Sequence, residues 1–138
     1  MKLVKDAKRE LLPDLDLVHP QTDLKHVFEI FKFHTVTRVI FVVDDQNKLV
    51  GMVDVKILLR LLASSVVKQE SLTFFSEVSA RTAEDIMVRR IYVKENEPLS
   101  KALQIMVDTK TEDLAVVDDQ EKITGSLNCF DVMLKLAQ

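Results

Sequence analysis

The chain has 138 residues, of which 47% are hydrophobic and 30% are charged, a balance typical of a globular protein and not of a disordered one. The 19 Lys and Arg residues stand against 22 Asp and Glu residues, and the resulting net charge of −3 excludes an overall basic field that would attract nucleic acid. The single cysteine excludes an internal disulfide framework and a zinc site built from cysteines.

The first half of the chain predicts a strand, a helix, two strands and a second helix. A short extended stretch at 15–18 precedes a helix whose apolar residues recur at helical spacing, namely Leu24, Val27, Phe28 and Phe31. The β-branched run 38–43 and the stretch 49–53 predict two strands joined by a polar turn. Residues 55–67 predict the closing helix.

Residues 68–81 then predict a linker that is not flexible, because they contain neither glycine nor proline. The scarce aromatic residues Phe74 and Phe75, with Leu72, could cover the core or form a partner surface. Residues 82–85 predict the start of a helix. The matching lead-in of the first half is expected at 5–12, with Leu11 and Leu12 opposite Ile86 and Met87.

The second half repeats this order of elements. The pentapeptide VVDDQ at 42–46 recurs at 116–120, an offset of 74, and the chain's two glycines, Gly51 and Gly125, stand at the same offset. Upstream the offset becomes 75, because one residue is inserted near position 33. The equivalent elements are a strand at 91–94, a helix containing Leu99, Ala102, Leu103 and Met106, strands at 114–117 and 123–127, and a helix at 129–136. A glycine in the last strand of each unit predicts a close approach to the backbone there.

We therefore predict an α/β (α+β) fold of two repeats, each ordered strand–helix–strand–strand–helix and packed with pseudo-twofold symmetry. A unit of about fifty residues buries little apolar surface by itself, so two similar units should share one core. The predicted divisions are repeat 1 with its lead-in at 1–67, the linker at 68–81, and repeat 2 at 82–138.

Neither catalysis nor a metal site is predicted. The three histidines do not combine with a carboxylate at a metal-ligand spacing, and Cys129 has no neighbouring histidine that would make it a nucleophile. Two glycines cannot build a glycine-rich phosphate loop. The longest apolar runs, such as 39–43, are too short to cross a membrane, and the N-terminus lacks the apolar core of a signal peptide, so we expect a cytoplasmic protein without membrane insertion.

This pattern resembles the CBS domain, and the whole chain resembles a tandem CBS pair, or Bateman module. The individual motifs are mostly apolar, but their joint order occurs twice. In the second repeat they are Asp85-Ile86-Met87, Leu99, Ala102-Leu103, Met106, Val116-Val117-Asp118, Gly125 and Asp131; in the first they are Leu24, Val27-Phe28, Val42-Val43-Asp44 and Gly51. The resemblance implies two clefts between the repeats, an adenine nucleotide or related adenosine compound in one of them, and regulatory sensing without catalysis.

Family members that bind nucleotides resemble Gly-x-h-Thr/Ser-x-x-Asp, in which h is apolar. There the Thr or Ser caps the last helix and meets phosphate, and the Asp bonds the ribose hydroxyls. The second repeat reads GSLNCFD at 125–131, so the resemblance implies that Asp131 bonds the ribose. Asn128 replaces the Thr or Ser but is still an N-cap residue, and a helix N-terminus suits phosphate. The first repeat reads GMVDVKI at 51–57, with Ile57 in place of the ribose aspartate and Asp54 at the cap, where its carboxylate would repel phosphate. We therefore expect the first repeat's own cleft to be degenerate.

The resemblance also implies that basic residues of the partner repeat meet the phosphates. Arg38 and Lys56 stand at such positions, and their repeat equivalents, Glu112 and Phe130, are not basic. Arginine binds phosphate bidentately, whereas lysine acts as a point charge. One cleft is therefore expected to gather Asp131, Asn128, Arg38 and Lys56. The adenine would lie on the walls formed by Ile91, Tyr92, Val93 and Ala115.

Each of these residues also has a purely structural interpretation, which stays open. An acid such as Asp131 in the first turn of a helix is favourable against the helix dipole without any ligand. Asn128 can act as a cap alone. Arg38 and Lys56 can be solvated surface charges, and Tyr92 can be an ordinary edge-strand residue.

The function predicted from the sequence is a regulatory module that binds AMP, ADP, ATP or a related adenosyl ligand between the repeats and acts on a partner protein in trans. It requires no cofactor and is expected to form a homodimer through apolar helix faces that expose Leu58, Leu61 and Leu62. The alternative is a CBS module without a ligand, which serves dimerisation or protein interaction.

Overall fold

The computed structural model describes residues 1–33, 38–68 and 80–138. Most of the predicted linker, with Leu72, Phe74 and Phe75, therefore lies outside the described residues. In chain order the elements are a 3-10 turn (Val4–Asp6), α1 (Pro13–Asp16), β1 (Leu17–Val18), α2 (Leu24–Phe33), β2 (Val39–Val43), β3 (Leu49–Asp54), α3 (Val55–Lys68), α4 (Ala83–Ile86), β4 (Tyr92–Lys94), α5 (Leu99–Thr109), β5 (Asp113–Val117), β6 (Ile123–Asn128) and α6 (Cys129–Leu136).

Each repeat forms its own three-stranded sheet in the described part of the chain, ordered β1-β2-β3 and β4-β5-β6. The first pair in each sheet is parallel and the second is antiparallel. The two antiparallel ladders have the same register, since Phe41 pairs with Met52 and, 74 positions later, Ala115 pairs with Ser126. The predicted fold class and the strand–helix–strand–strand–helix order of both repeats are thereby confirmed.

The two VVDDQ turns are built alike and meet each other. The carboxylate of Asp44 accepts the N–H groups of Gln46 at 2.8 Å and Lys48 at 3.0 Å, and these backbone bonds lower the pKa of Asp44. Asp118 makes the corresponding bonds at 2.8 and 3.0 Å. The N–H of Leu49 donates to Glu121 O at 3.2 Å, and the N–H of Ile123 donates to Asn47 O at 3.1 Å. These reciprocal bonds between equivalent residues place the pseudo-twofold axis between the two turns.

The buried residues form one core in each repeat and a third cluster between them. The side chains shared by both sheets are Phe41, Val43, Leu49, Met52, Ala115, Val117 and Ile123. Burial of these apolar side chains removes from water the sheet faces that each repeat would expose alone. The expected shared core is therefore present between the repeats, in addition to one core beneath the helices of each.

The lead-in of each repeat packs on the other repeat. Val4 is fully buried in the second repeat's core, and Ala83 is fully buried in the first repeat's core. Backbone bonds repeat the exchange, because the N–H of Leu99 donates to Lys2 O and the N–H of Leu24 donates to Arg81 O, both at 2.9 Å. The sequence divisions at 1–67 and 82–138 assigned each lead-in to the repeat that follows it. In the structure the exchanged lead-ins clamp the two repeats together.

The lead-ins are equivalent at an offset of 79, not 75, which corrects the predicted alignment of Leu11 and Leu12 with Ile86 and Met87. Arg9 pairs antiparallel with Ser126, and Val88 pairs in the same way with Met52. Eight positions separate Arg9 from the start of β1 at residue 17, whereas four separate Val88 from the start of β4 at residue 92. The first repeat therefore has an insertion of four residues between its lead-in and its first strand. Helix α1 lies in this insertion and shapes one of the clefts described below.

The glycines lie where the exchanged lead-ins cross the sheets. A Cβ added at Gly51 would stand 2.6 Å from the Sδ atom of Met87, and one at Gly125 would stand 2.7 Å from the backbone O of Arg9. The predicted close approach to the backbone is therefore present in both repeats, and the approaching group is the lead-in of the other repeat.

Candidate functional site: two clefts between the repeats

Two clefts related by the pseudo-twofold axis lie between the repeats in the described part of the chain. We name each by the helix that begins at its edge. The α3 cleft has a volume of about 130 Å³ and is lined by Arg38, Val39, Met52, Asp54, Val55, Lys56, Val88, Arg89, Ile91 and Lys110–Asp113. The α6 cleft has a volume of about 240 Å³ and is lined by Arg9, Glu10, Leu12, Leu15, Asp16, Arg38, Val39, Phe41, Asp113, Ser126 and Asn128.

Arg38 and Asp113 border both clefts and pair with each other at the junction. The Arg38 Nη2 atom lies 3.3 Å from Asp113 Oδ1, and its Nη1 atom donates to Glu112 Oε2 at 3.0 Å. Burial raises the pKa of Asp113 above its ordinary value, and the neighbouring guanidinium of Arg38 opposes that shift. A cation that both clefts share is therefore held in place by two acids of the second repeat.

At the α6 cleft the predicted cap is present. The Asn128 side chain accepts the N–H of Asp131 at 2.9 Å, and this bond caps α6. Asn128 itself lines the cleft together with Ser126. The N-terminus of an eight-residue helix therefore opens beside this cleft, with the partial positive charge that a helix N-terminus carries.

Asp131 does not line the α6 cleft, and an arginine of the exchanged lead-in holds its carboxylate. Arg9 donates through Nε to Oδ2 at 2.7 Å and through Nη2 to Oδ1 at 3.1 Å, so the pair is bidentate. The Asp131 carboxylate raises the pKa of Arg9 through this hydrogen bond. Asp131 borders instead a neighbouring surface groove with Asp6, Lys8 and Lys135. The carboxylate predicted to bind the ribose therefore lies outside the cleft and is bonded to Arg9, which lines the cleft.

Lys56 does not join Asn128, which corrects the expectation of one cleft for all four polar residues. It lines the α3 cleft with Arg89 and Lys110, on the first repeat's own side of the axis. The pseudo-twofold symmetry explains the separation. Asp54 and Asn128 are repeat equivalents that precede the helices of different clefts, and Lys56 lies in the first turn of α3, at the cleft of Asp54. Arg38 lies at the junction and borders both.

The four residues predicted to wall the adenine are also divided. Ile91 lines the α3 cleft and not the α6 cleft. Val93 is buried in the second repeat's core, and Ala115 is buried in the shared cluster, so neither side chain is available to a ligand. Tyr92 is half-buried against the shared cluster, with the guanidinium of Arg90 4.9 Å from its ring centre. At the α6 cleft the accessible apolar wall comes instead from Leu12, Leu15 and Val39, above the buried Phe41.

The α3 cleft has an acid, Asp54, at the N-terminus of its helix, and this acid is the reason why we expected the cleft not to bind phosphate. The Asp54 carboxylate accepts the N–H of Ile57 at 2.9 Å, so a negative charge occupies the helix N-terminus where phosphate would bind. Lys56, Arg89 and Lys110 line the same cleft and offset that charge. The α3 cleft thus combines both signs of charge within a smaller volume.

Sequence reasoning missed Arg9 and Asp113. Arg9 lies in no repeat motif, and its partner Asp131 is 122 positions away in the chain, so no local signal joins them. Asp113 did leave a signal, because it replaces Val39 of the first repeat at the start of the equivalent strand. A charged residue at an otherwise apolar strand position favours a role at an interface or a site.

Within residues 1–33, 38–68 and 80–138, no helix has the length and apolar character needed to cross a membrane. The same residues contain no group of three or more His, Cys, Asp or Glu side chains that could hold a metal ion.

The match to known families follows the two repeats. The sequence profile of the CBS domain matches the chain twice, over residues 4–64 and 83–138. The chain belongs to the CBS domain family. Both matched segments contain one three-stranded sheet and its helices, so the CBS repeats coincide with the two structural repeats. A search of curated protein sequences finds no significant match.

Solved CBS-pair structures cover the chain almost completely. CBSX2 in complex with AMP is 26% identical, covers 99% of this chain and 98% of its own, and has a TM-score of 0.78; CBSX2 from Arabidopsis thaliana gives the same identity and TM-score. A CBS domain-containing protein from Thermotoga maritima is 28% identical, with 99% and 94% coverage and a TM-score of 0.76. The CBS domain pair of protein MJ0100, solved with 5′-methylthioadenosine and S-adenosyl-L-methionine, shares the fold at 23% identity, with 99% and 96% coverage and a TM-score of 0.75.

Proposed function

We propose that this CBS pair is a regulatory module that binds an adenine nucleotide or a related adenosyl compound in the α6 cleft and transmits its occupancy to a partner protein in trans. The observation that carries the proposal is the junction of the α6 N-terminus with two guanidinium groups. Asn128, Arg9 and Arg38 all border this cleft. Backbone N–H groups at a helix N-terminus and bidentate arginines are the groups that bind phosphate in proteins.

The other parts of the α6 cleft and its edge suit the rest of a nucleotide. The apolar side chains of Leu12, Leu15 and Val39 offer a surface for a purine ring. The carboxylate of Asp131, which lies beside the cleft and is paired with the cleft residue Arg9, offers acceptors for the ribose hydroxyls. CBSX2, which was solved with AMP, supports the choice of ligand class because it matches nearly the whole chain at 26% identity.

Titration calorimetry with AMP, ADP, ATP and S-adenosylmethionine tests this function. We expect heat of binding with at least one of them and a raised melting temperature. Asp131→Asn should weaken that binding roughly tenfold, because it removes the negative charge that strengthens hydrogen bonds to the ribose. Asp119→Asn, at an exposed turn position, is the matched control and should bind like the wild type. No heat with any of the four compounds, together with an unchanged melting temperature, would contradict the proposal.

A ligand-free interaction module is the second candidate, favoured by an apolar surface on the second repeat. Helices α5 and α6 expose Leu103, Val107, Phe130, Met133 and Leu134, whose exposed fractions range from 39% to 68%. The predicted dimer residues on α3 supply less, since Leu58 is buried, Leu61 is half-buried and Leu62 is 37% exposed. An exposed apolar surface of this kind is typical of protein contacts, and we propose a homodimer as its partner.

Leu134→Asp separates the two candidates. If the protein is a ligand-free dimer, the Leu134→Asp variant should be monomeric in sedimentation equilibrium. Mass spectrometry of the denatured wild type should then detect no nucleotide. For the sensor, the denatured wild type should release an adenine compound, or AMP should bind whether or not the variant is monomeric. Leu59→Asp, whose parent side chain is 60% exposed on α3, is the control for adding a charge to an apolar helix position.

A further inference from the structure

We propose that Arg9 is a specificity-determining latch of the α6 cleft, which must leave Asp131 before a ribose can bind and which then pairs with a phosphate. The inference rests on the proposed nucleotide function and deepens it. It makes phosphorylated adenosine compounds the ligand class, and uncharged adenosine a poor ligand.

Arg9 already binds the carboxylate that a ribose would need. The guanidinium engages both carboxylate oxygens of Asp131, at 2.7 and 3.1 Å. A ribose offers two neighbouring hydroxyl groups, which donate to the same two oxygens. A bidentate arginine and a bidentate diol cannot both hold one carboxylate in the plane that each prefers, so ligand binding requires the arginine to move.

The side chain of Arg9 can move while its backbone stays in place. Its N–H donates to Ser126 O at 2.7 Å, and its O atom accepts the N–H of Ser126 at 3.1 Å, so the main chain is fixed to β6. The Arg9 side chain is 58% exposed, against 21% for Asp131. A guanidinium that water can reach leaves its partner at a small energetic cost, because solvent replaces the lost hydrogen bonds.

A guanidinium released from Asp131 remains at the cleft. Arg9 lines the α6 cleft beside Asn128, and Arg38 lines the same cleft. A phosphate at the N-terminus of α6 would therefore lie beside the freed Arg9. It would accept from the guanidinium the bidentate hydrogen bonds that Asp131 accepted before. A ligand without phosphate must break the same ion pair and offers Arg9 no anion in return.

The test compares AMP and adenosine on the wild type and on Arg9→Ala, by calorimetry. A latch predicts opposite changes: adenosine should bind roughly threefold tighter to the variant because its competitor is gone, and AMP should bind roughly fivefold weaker because its phosphate loses a partner. The ratio of the two affinities should therefore fall by about fifteenfold. Arg60→Ala removes the same charge from an exposed position on α3 and should change neither affinity.

A purely structural Arg9 would move both affinities in the same direction or move neither, and either result overturns the latch while leaving the nucleotide function standing. If the wild type binds neither AMP nor adenosine, the latch fails, and the proposed function fails with it only if ADP, ATP and S-adenosylmethionine also give no heat of binding. A second measurement uses the unmodified protein: AMP should shift the Arg9 Nε–Hε resonance in a ¹⁵N-labelled sample, and an unshifted resonance at saturating AMP would overturn the latch even if the variant does not fold.

Discussion

Arg38 and Glu112 occupy equivalent positions in the two repeats, 74 residues apart, and they bond to each other across the pseudo-twofold axis with Nη1 and Oε2 3.0 Å apart. The same guanidinium reaches Asp113, the repeat equivalent of Val39. Duplicated positions that carry opposite charges have thus become partners. Because this cluster stands where the α3 and α6 clefts meet, it ties the first strands of the two antiparallel ladders together.

Replacing Arg38 with alanine should lower the free energy of unfolding by about 1–2 kcal/mol, because the half-buried Asp113 carboxylate loses its counter-charge. Glu112→Gln is the matched control and should lower it by no more than about 0.5 kcal/mol, since Glu112 is well exposed to water. Urea unfolding of both variants measures the difference. If Arg38→Ala and Glu112→Gln have equal free energies of unfolding, the Asp113 carboxylate does not need Arg38 as its counter-charge.

The two glycines allow a paired test of the exchanged lead-ins. Gly125→Ala should destabilise the protein by about 2–3 kcal/mol, because the new Cβ meets a backbone oxygen at 2.7 Å and the lead-in must shift. Gly51→Ala should cost about 1 kcal/mol, because its Cβ meets the flexible end of Met87. Thermal unfolding of the two variants should rank them in this order, and the reverse order would argue against the close crossing of Arg9 over β6.

The burial of Val4 predicts that the first lead-in contributes to the second repeat's stability. Val4→Ala removes two methyl groups from a site with no exposed surface and should lower the free energy of unfolding by about 2 kcal/mol. Val107→Ala, whose parent side chain is 63% exposed, should change it by less than about 0.5 kcal/mol. If urea unfolding shows the same small effect for both substitutions, Val4 is not part of that core in solution.

Asp113 should give the protein a recognisable pH dependence. Because burial raises the pKa of Asp113, the folded state holds its proton more tightly than the unfolded state does. Its ionisation therefore opposes folding near pH 7, and that penalty disappears as the pH falls through the folded pKa. Asp113→Asn has no such ionisation. The free energy of unfolding of this variant, relative to that of the wild type, should therefore decline as the pH is lowered from 7 to about 4.

Urea unfolding at several pH values in that interval measures this difference. Asp119→Asn, at an exposed turn position, serves as the control and should stay at a constant offset from the wild type. A constant offset for Asp113→Asn as well would mean that Asp113 is not desolvated in the folded protein.

Most of the fold was predictable because its signals are local. The VVDDQ turns and the apolar helix spacing around Leu24 and Leu99 each act within a few residues, and their recurrence, together with that of the two glycines, defines the repeats. The cap of α6 was predictable for the same reason, since Asn128 bonds an N–H only three positions ahead. The roles of these residues in binding remain predictions.

The sequence alone determined two copies of one α+β unit, the order of their elements and the polar residues that begin α3 and α6. Only the tertiary structure decided which repeat each lead-in covers, which cleft Lys56 borders, and that Arg9 rather than solvent holds Asp131. The physical reason is that periodicity reports which face of an element is buried but not which copy of a duplicated surface buries it. Two similar repeats offer nearly equivalent partners, and long-range packing selects between them.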